Sequence, residues 1–87
     1  MARRTAKDLD ALPNKTAARI LGALDRLEAD PEGRELDIKA LSGRKPWRRM
    51  RIGNHRVIFR LADSGEIILV ARVVDRKELQ QAILTLV

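Results

Sequence analysis

The basic residues of this 87-residue chain are concentrated in one segment that contains no acidic residue. Positions 38–62 hold eight of the eighteen Lys and Arg residues and none of the twelve Asp and Glu residues. The eight are Lys39, Arg44, Lys45, Arg48, Arg49, Arg51, Arg56 and Arg60. The remaining positions hold ten basic and twelve acidic residues, so the net charge of +6 combines a local +8 with −2 from elsewhere. This acid-free segment predicts an anionic partner, and we favour a nucleic acid.

The residue types give little support to most other chemistries. The chain has no Cys, which excludes disulfides, thiolate metal sites and thiol nucleophiles. No paired carboxylates, metal-ligand cluster or Ser/His/Asp arrangement is visible, and the glycines do not form a phosphate-binding loop. We therefore expect no metal and no cofactor. His55 is the sole histidine, and it is either a general base or an exposed side chain beside a turn.

Composition also bears on where the protein works. The longest apolar run, 67–71, is far too short to span a bilayer, and positions 1–5 lack the apolar stretch of a signal peptide. With 45% hydrophobic residues, the 87 residues can bury one modest core. We expect a single cytoplasmic domain over 1–87 that does not bind membranes.

Hydrophobic periodicity predicts two helices before any strand. A short apolar repeat over 6–12 ends at Pro13. Apolar residues then fall at helical spacing across 14–30, until Pro31 disfavours the helical conformation of the residue before it. Positions 32–43 have little sustained period, so we assign them to a connecting loop.

From Trp47 onward, apolar and polar residues alternate, which predicts strands. The runs 47–52 and 55–61 flank Gly53-Asn54, a pair suited to a type II′ hairpin because glycine accepts positive φ at the first turn position. A second turn over 62–66 and a β-branched run over 67–74 extend the hairpin into a meander.

Asp75 can cap a last helix. The predicted order is therefore two helices, three strands and one helix, and this order predicts an α+β fold.

The predicted turn fixes which side chains share a face of the hairpin. The register pairs Ile52 with His55, Arg51 with Arg56, Met50 with Val57, Arg49 with Ile58 and Trp47 with Arg60. Because side chains alternate between faces, one face is apolar and the other is cationic. The cationic face carries Trp47, Arg49, Arg51, Arg56, Ile58 and Arg60. Arg48 falls on the apolar face, so we leave it out of the site.

Like charges directly opposite one another on neighbouring strands destabilise the pair, so Arg51 against Arg56 makes poor sense as a stability device. Phosphates would compensate, because a guanidinium offers two parallel N–H donors that match phosphate oxygens. The alternative is that these arginines keep the sheet soluble, guard an edge strand or bind an acidic protein. The absence of any acid from 38–62 favours phosphate binding.

Further nucleic-acid contacts are expected around the central arginines. They are Lys39, Arg44, Lys45, Trp47 and Arg60. For Trp47, stacking on a base competes with a second interpretation, in which the only Trp closes the end of a small core, and we favour the second.

The runs 39–43, 47–59 and 73–78, read as KALSG, WRRMRIGNHRVIF and VVDRKE, closely resemble the RelE/ParE superfamily of bacterial toxins. Ala6 to Leu9 and Leu12-Pro13 fit the start of that family's helical hairpin. The resemblance implies an α+β, microbial-ribonuclease-like fold, in which a small antiparallel sheet of three to four strands carries two N-terminal helices on one face and a C-terminal helix.

The resemblance also implies a function. Members like RelE are toxins of type II toxin–antitoxin systems that cleave messenger RNA in the ribosomal A site, and a cognate antitoxin silences them in a hetero-oligomer. The substrate's 2′-hydroxyl attacks the adjacent phosphate without a metal. By position, Arg49 and Arg51 would hold the phosphate, Arg56 would stabilise the developing charge, and Arg76 would clamp the leaving side.

Three departures from the family pattern matter. Lysines commonly stand where Arg49 and Arg51 do, and arginine stays protonated, so the general base is missing or supplied elsewhere. A tyrosine commonly follows the late arginine, but this chain has none and has Gln80 near that position, so we expect either weaker activity or a larger part for His55. A strand commonly precedes Ala6, so this first strand is reduced or a sheet edge is exposed.

The departures keep two other functions open. One is a ParE-like inhibitor of DNA gyrase. The other is a non-catalytic toxin that only binds its antitoxin.

Overall fold

The computed structural model describes residues 3–62 and 68–86. The elements are α1 (Arg3–Asp10), α2 (Asn14–Ala29), β1 (Asp37–Ala40), β2 (Arg48–Ile52), β3 (His55–Leu61), β4 (Ile68–Asp75), a 3₁₀ turn (Arg76–Glu78) and α3 (Leu79–Leu84). The four strands form one sheet in the order β1-β2-β3-β4, and each strand is antiparallel to the next. The predicted α+β fold is confirmed. None of the helices in these residues is long and apolar enough to cross a membrane.

The β2–β3 hairpin has the predicted turn and register from Arg48 onward, whereas the predicted pair of Trp47 with Arg60 lies outside the ladder, because β2 begins at Arg48. Gly53 has a φ of +57°, and no non-glycine residue in the described part of the chain has positive φ, which is the pattern of a type II′ turn. Arg51 lies opposite Arg56, and Ile52 lies opposite His55. The alternation of faces inferred from the sequence therefore holds along both strands.

The prediction of a loop over 32–43 is wrong in part, because β1 lies within it. Asp37 pairs with Arg51 and Lys39 pairs with Arg49 across the β1–β2 ladder. This edge strand has only four residues and none of them is fully buried, so its hydrophobic signal is weak. Its hydrogen-bond partners come from β2, which local sequence patterns do not reveal. The turn predicted over 62–66 lies, apart from Ala62, outside the described residues.

Helices α1 and α2 cover one face of the sheet. Ile20 and Leu27 of α2 are fully buried against this face, and Leu9 of α1 packs beside them. The buried members of this main core are Ile20, Ala23, Leu27, Met50, Val57, Phe59, Val70 and Val73. Because both hairpin strands contribute to it, the main core holds the hairpin with its arginine-bearing face turned away from α1 and α2.

The opposite face is not wholly cationic, which corrects the prediction for Ile58. Ile58 is fully buried in a second core with Leu41, Val74 and Ala82. Ala82 comes from α3 and Val74 comes from β4, so the hairpin sequence alone could not reveal this cover. Helix α3 therefore packs on part of the face that carries the arginines.

Side chains of α1 bond to the outer edge of β4. Thr5 Oγ1 donates to the carbonyl oxygen of Val70 at 2.9 Å, and Asp8 Oδ2 accepts from the backbone N–H of Val73 at 2.9 Å. Arg72 also donates to both Asp8 oxygens, from Nε at 2.8 Å and from Nη2 at 3.2 Å, which raises the pKa of its guanidinium. Positions 3–5, just before Ala6, belong to α1 and form no strand, and side chains of α1 satisfy these edge groups instead.

We expect Asp8→Ala to lower the free energy of unfolding by about 2 kcal/mol, because it leaves Arg72 without a carboxylate and the Val73 N–H without an acceptor. Asp10→Ala, on the exposed side of the same helix, should change it by less than about 0.5 kcal/mol. Urea unfolding of the two variants measures the difference. Equal losses would mean that the edge bonds add nothing specific.

Candidate nucleic-acid interface

Three elements bring four arginines together around the tip of the hairpin. Arg49 and Arg51 of β2 and Arg56 of β3 share the face opposite α1 and α2. The backbone N–H of Arg76 donates to the carbonyl oxygen of Asn54 at 2.8 Å, which fixes the start of the 3₁₀ turn against the hairpin. We call Arg49, Arg51, Arg56 and Arg76 the arginine cluster. The residue that only the resemblance had added, Arg76, is thus beside the others.

Arg56 is the member most constrained by its surroundings. Its Nη1 donates to the carbonyl oxygens of Gly53 at 3.1 Å and of His55 at 3.0 Å, so the guanidinium lies over the turn. Partial burial lowers the pKa of Arg56, and the positive charges of Arg51, Arg49 and Arg76 lower it further. The positive charges of the arginine cluster therefore repel one another, and an anion bound among them would reduce that repulsion. Among the described residues, no partner is seen for the Nε and Nη2 donors of Arg56, which suit such an anion.

Asp37 adds a negative charge that the acid-free segment did not predict. It stands one position before that segment, and the β1–β2 register places it opposite Arg51. Its Oδ1 lies 3.5 Å from Arg49 Nη1, an ion pair in which the Arg49 side chain is 16% exposed and that of Asp37 is 48% exposed. The alternation of apolar and charged residues over 36–40 was the available signal for this strand.

Arg49 keeps an unused donor. Its Nη1 is buried, and it forms no hydrogen bond with any described residue, because Asp37 approaches within ion-pair distance only. A buried N–H without an acceptor is unfavourable.

The other predicted contacts are more dispersed. Lys39 is exposed opposite Arg49, and Lys45 is exposed in the loop between β1 and β2. That loop is closed by Trp47, whose backbone N–H donates to the carbonyl oxygen of the half-buried Arg44 at 2.8 Å. Trp47 packs against the second core, with the guanidinium carbon of Arg60 5.6 Å from its ring centre. This packing matches the core interpretation of Trp47, whereas base stacking remains a prediction.

His55 lies apart from the arginine cluster. It is opposite Ile52 and therefore points to the face that α1 and α2 cover. There it lines a pocket with Asp8, Arg72 and Asp75. The structure does not bring the imidazole to the face where the arginines converge, so its predicted role as a base has no geometric support.

Comparisons with known proteins agree with this fold. A family model described as the ParE toxin of type II toxin–antitoxin systems, parDE, matches residues 1–80. The chain therefore belongs to the ParE toxin family of type II toxin–antitoxin systems. No curated protein sequence is a significant match.

Two solved structures are similar over nearly the whole chain. One is the RelB-RelE antitoxin-toxin complex from Methanococcus jannaschii, with 26% identity, a TM-score of 0.77, and coverage of 92% of this chain and 93% of the matched chain. The other is the archaeal RelE-RelB complex from Pyrococcus horikoshii OT3, with 27% identity, a TM-score of 0.72, and coverage of 86% and 89%. The predicted membership of the RelE/ParE superfamily is confirmed.

We expect Arg56→Ala to weaken growth inhibition by the induced toxin more than Arg48→Ala does. Arg56 lies in the arginine cluster, whereas Arg48 is exposed opposite Phe59 on the other face of the sheet. Loss of one charge-assisted contact to the target should cost about tenfold in affinity. Colony counts after induction at matched expression measure the effect, and equal effects would show that the arginine-bearing face has no special part in toxicity.

Proposed function

We propose that this toxin is a ribosome-dependent messenger-RNA endoribonuclease that inhibits translation. The observation that carries the proposal is the arginine cluster, in which two arginines stand directly opposite each other and two more add to the repulsion. A folded protein gains nothing in stability from this arrangement, but an RNA phosphate turns it into a favourable one. Within the cluster, hydrogen bonds hold the Arg56 guanidinium over the turn before the substrate arrives, as electrostatic stabilisation of a reacting phosphate requires.

The proposed reaction divides the phosphate among the members of the cluster. Arg49 and Arg51 hold the two non-bridging oxygens. Arg56 stabilises the additional negative charge that develops when the 2′-oxygen attacks phosphorus. Arg76, held at the hairpin tip by its backbone, lies at the leaving side. Guanidiniums position the substrate and neutralise its charge in this scheme, while a separate group must accept the proton.

The proposed partners follow from the same family. Both similar structures are toxins in complex with RelB antitoxins, which supports a cognate antitoxin as the partner of this chain in a hetero-oligomer. Translated messenger RNA on the ribosome is the proposed target, and the cytoplasm is the proposed compartment. The exposed members of the cluster, Arg51 and Arg76, would meet the RNA first.

The second candidate function is inhibition of DNA gyrase. It is supported by the ParE description of the matching family model and by the arginines that stand where RNA-cleaving relatives commonly carry lysine. In this case the arginine cluster would serve as a binding surface without catalysis.

Induction of the toxin should create new 5′ ends inside the coding regions of translated messages. Primer extension detects these ends, and they should persist with Arg48→Ala and decline about tenfold or more with Arg56→Ala. If the wild-type toxin arrests growth without producing new ends, the endoribonuclease proposal is wrong.

Supercoiling by purified gyrase separates the second candidate from the first. The endoribonuclease proposal predicts that stoichiometric toxin leaves supercoiling unchanged, whereas a gyrase inhibitor suppresses it. A wild-type chain that binds antitoxin yet leaves growth unchanged would contradict both and indicate a non-catalytic toxin.

A further inference from the structure

The arginine cluster lacks one component that the proposed reaction needs. Attack by a 2′-hydroxyl requires a group that removes its proton. Guanidiniums remain protonated in proteins and accept no hydrogen bond, so no member of the cluster can do this. His55 lies on the opposite face of the sheet. The proton acceptor must therefore come from another residue on the arginine-bearing face or from the RNA itself.

Among the residues that the structure describes, Asp37 is a carboxylate that lies on this face. Strand β1 pairs it with Arg51, so the two side chains point the same way. It is 3.5 Å from Arg49 Nη1, and its side chain is 48% exposed, which leaves room for a substrate hydroxyl. Its charge also reaches Arg56, where it opposes the lowering of the pKa of that guanidinium. A base in this position lies beside the residues that hold the phosphate.

The contacts of Asp37 leave it free to act on a ligand. No donor among the described residues forms a hydrogen bond with its carboxylate, and the approach of Arg49 Nη1 falls short of one. An ion pair as exposed as that of Asp37 with Arg49 contributes little to the free energy of unfolding. As a base, the same carboxylate has two oxygens able to accept a proton.

We propose that Asp37 is the general base of the cleavage reaction, an inference that rests on the proposed function. The O–H bond of the ribose 2′-hydroxyl breaks and its proton passes to a carboxylate oxygen of Asp37. The O2′–P bond forms and the P–O5′ bond breaks. The departing 5′-oxygen takes a proton from water, which leaves a 2′,3′-cyclic phosphate and a 5′-hydroxyl. No oxidation or reduction takes place, and Asp37 returns its proton to solvent.

The test is single-turnover cleavage of a defined messenger RNA on purified ribosomes by the purified full-length toxin. Asp37→Asn should slow cleavage by about 100-fold or more, as loss of a general base does. Binding of the same complex carrying a 2′-deoxy nucleotide at the cleavage position should stay equal or become tighter, because the variant removes a negative charge from the cationic face. Asp25→Asn, the same change at an exposed position of α2, is the matched control and should stay within about threefold of wild type.

Chemical rescue distinguishes a base from a residue that only holds Arg49. Added formate should restore part of the activity of Asp37→Ala while leaving the wild type unchanged, because formate can take the place of the missing carboxylate. The proposal is overturned if Asp37→Asn cleaves within threefold of wild type. It is also overturned if Asp37→Ala loses cleavage and RNA binding together and formate restores neither. A wild-type toxin that cleaves no RNA would refute the proposed function itself, a result distinct from cleavage that does not depend on Asp37.

Discussion

The two-residue turn at Gly53-Asn54 is the constraint on which the sheet depends. A hairpin with a two-residue loop has one register, and a slip of one residue would exchange the two faces of a strand. Met50, Val57 and Phe59 would then leave the main core, while arginines would enter it. Burial of an unpaired guanidinium is prohibitive, so the turn and the core select the same register. The position of every arginine on β2 and β3 follows from that agreement.

One face of the sheet forms the main core, and the opposite face carries the candidate binding residues. The main core lies under α1 and α2, and the second core, around Ile58 and α3, stabilises the other face from within. The rest of that face can therefore carry mutually repelling charges. A preorganised cationic site of this kind always costs some folding stability, and here two hydrophobic clusters offset it. The second core also explains why Trp47 is half-buried although it stands among the basic residues.

The sequence predicts the elements that carry their own signals and misses those that depend on distant partners. The turn glycine, the helical spacing over 14–29 and the alternation over 48–61 are local, and the structure agrees with them. Strand β1 is short and lies on the edge of the sheet, and the loop predicted there is wrong for this reason. The expectation that no acid balances the arginines is wrong as well, because Asp37 of β1 forms an ion pair with Arg49. The burial of Ile58 depends on Ala82, 24 positions away in the chain, which alternation within one hairpin cannot anticipate.

The residues of the candidate site also divide into those that local sequence predicts and those that depend on distant partners. The hairpin register predicts the positions of Arg49, Arg51 and Arg56. Arg76 joins the arginine cluster only through a backbone contact with Asn54 that sequence patterns do not encode. Asp37 is missed because its relevance depends on the edge strand. The roles of these residues in chemistry remain predictions, since geometry places them together without showing a reaction.

The bonds between α1 and β4 have a consequence for the order in which the chain folds. They join residues that are 64 and 65 positions apart, among the longest separations in the protein. Closing so long a loop is costly in entropy and comes late. During synthesis α1 leaves the ribosome before the strands, but the side chains of Thr5 and Asp8 have no partner in β4 until Val70, Arg72 and Val73 have emerged, and the residues of the arginine-bearing hairpin precede these in the chain. The arginine-bearing strands therefore exist in the nascent chain before the sheet is closed at its last edge.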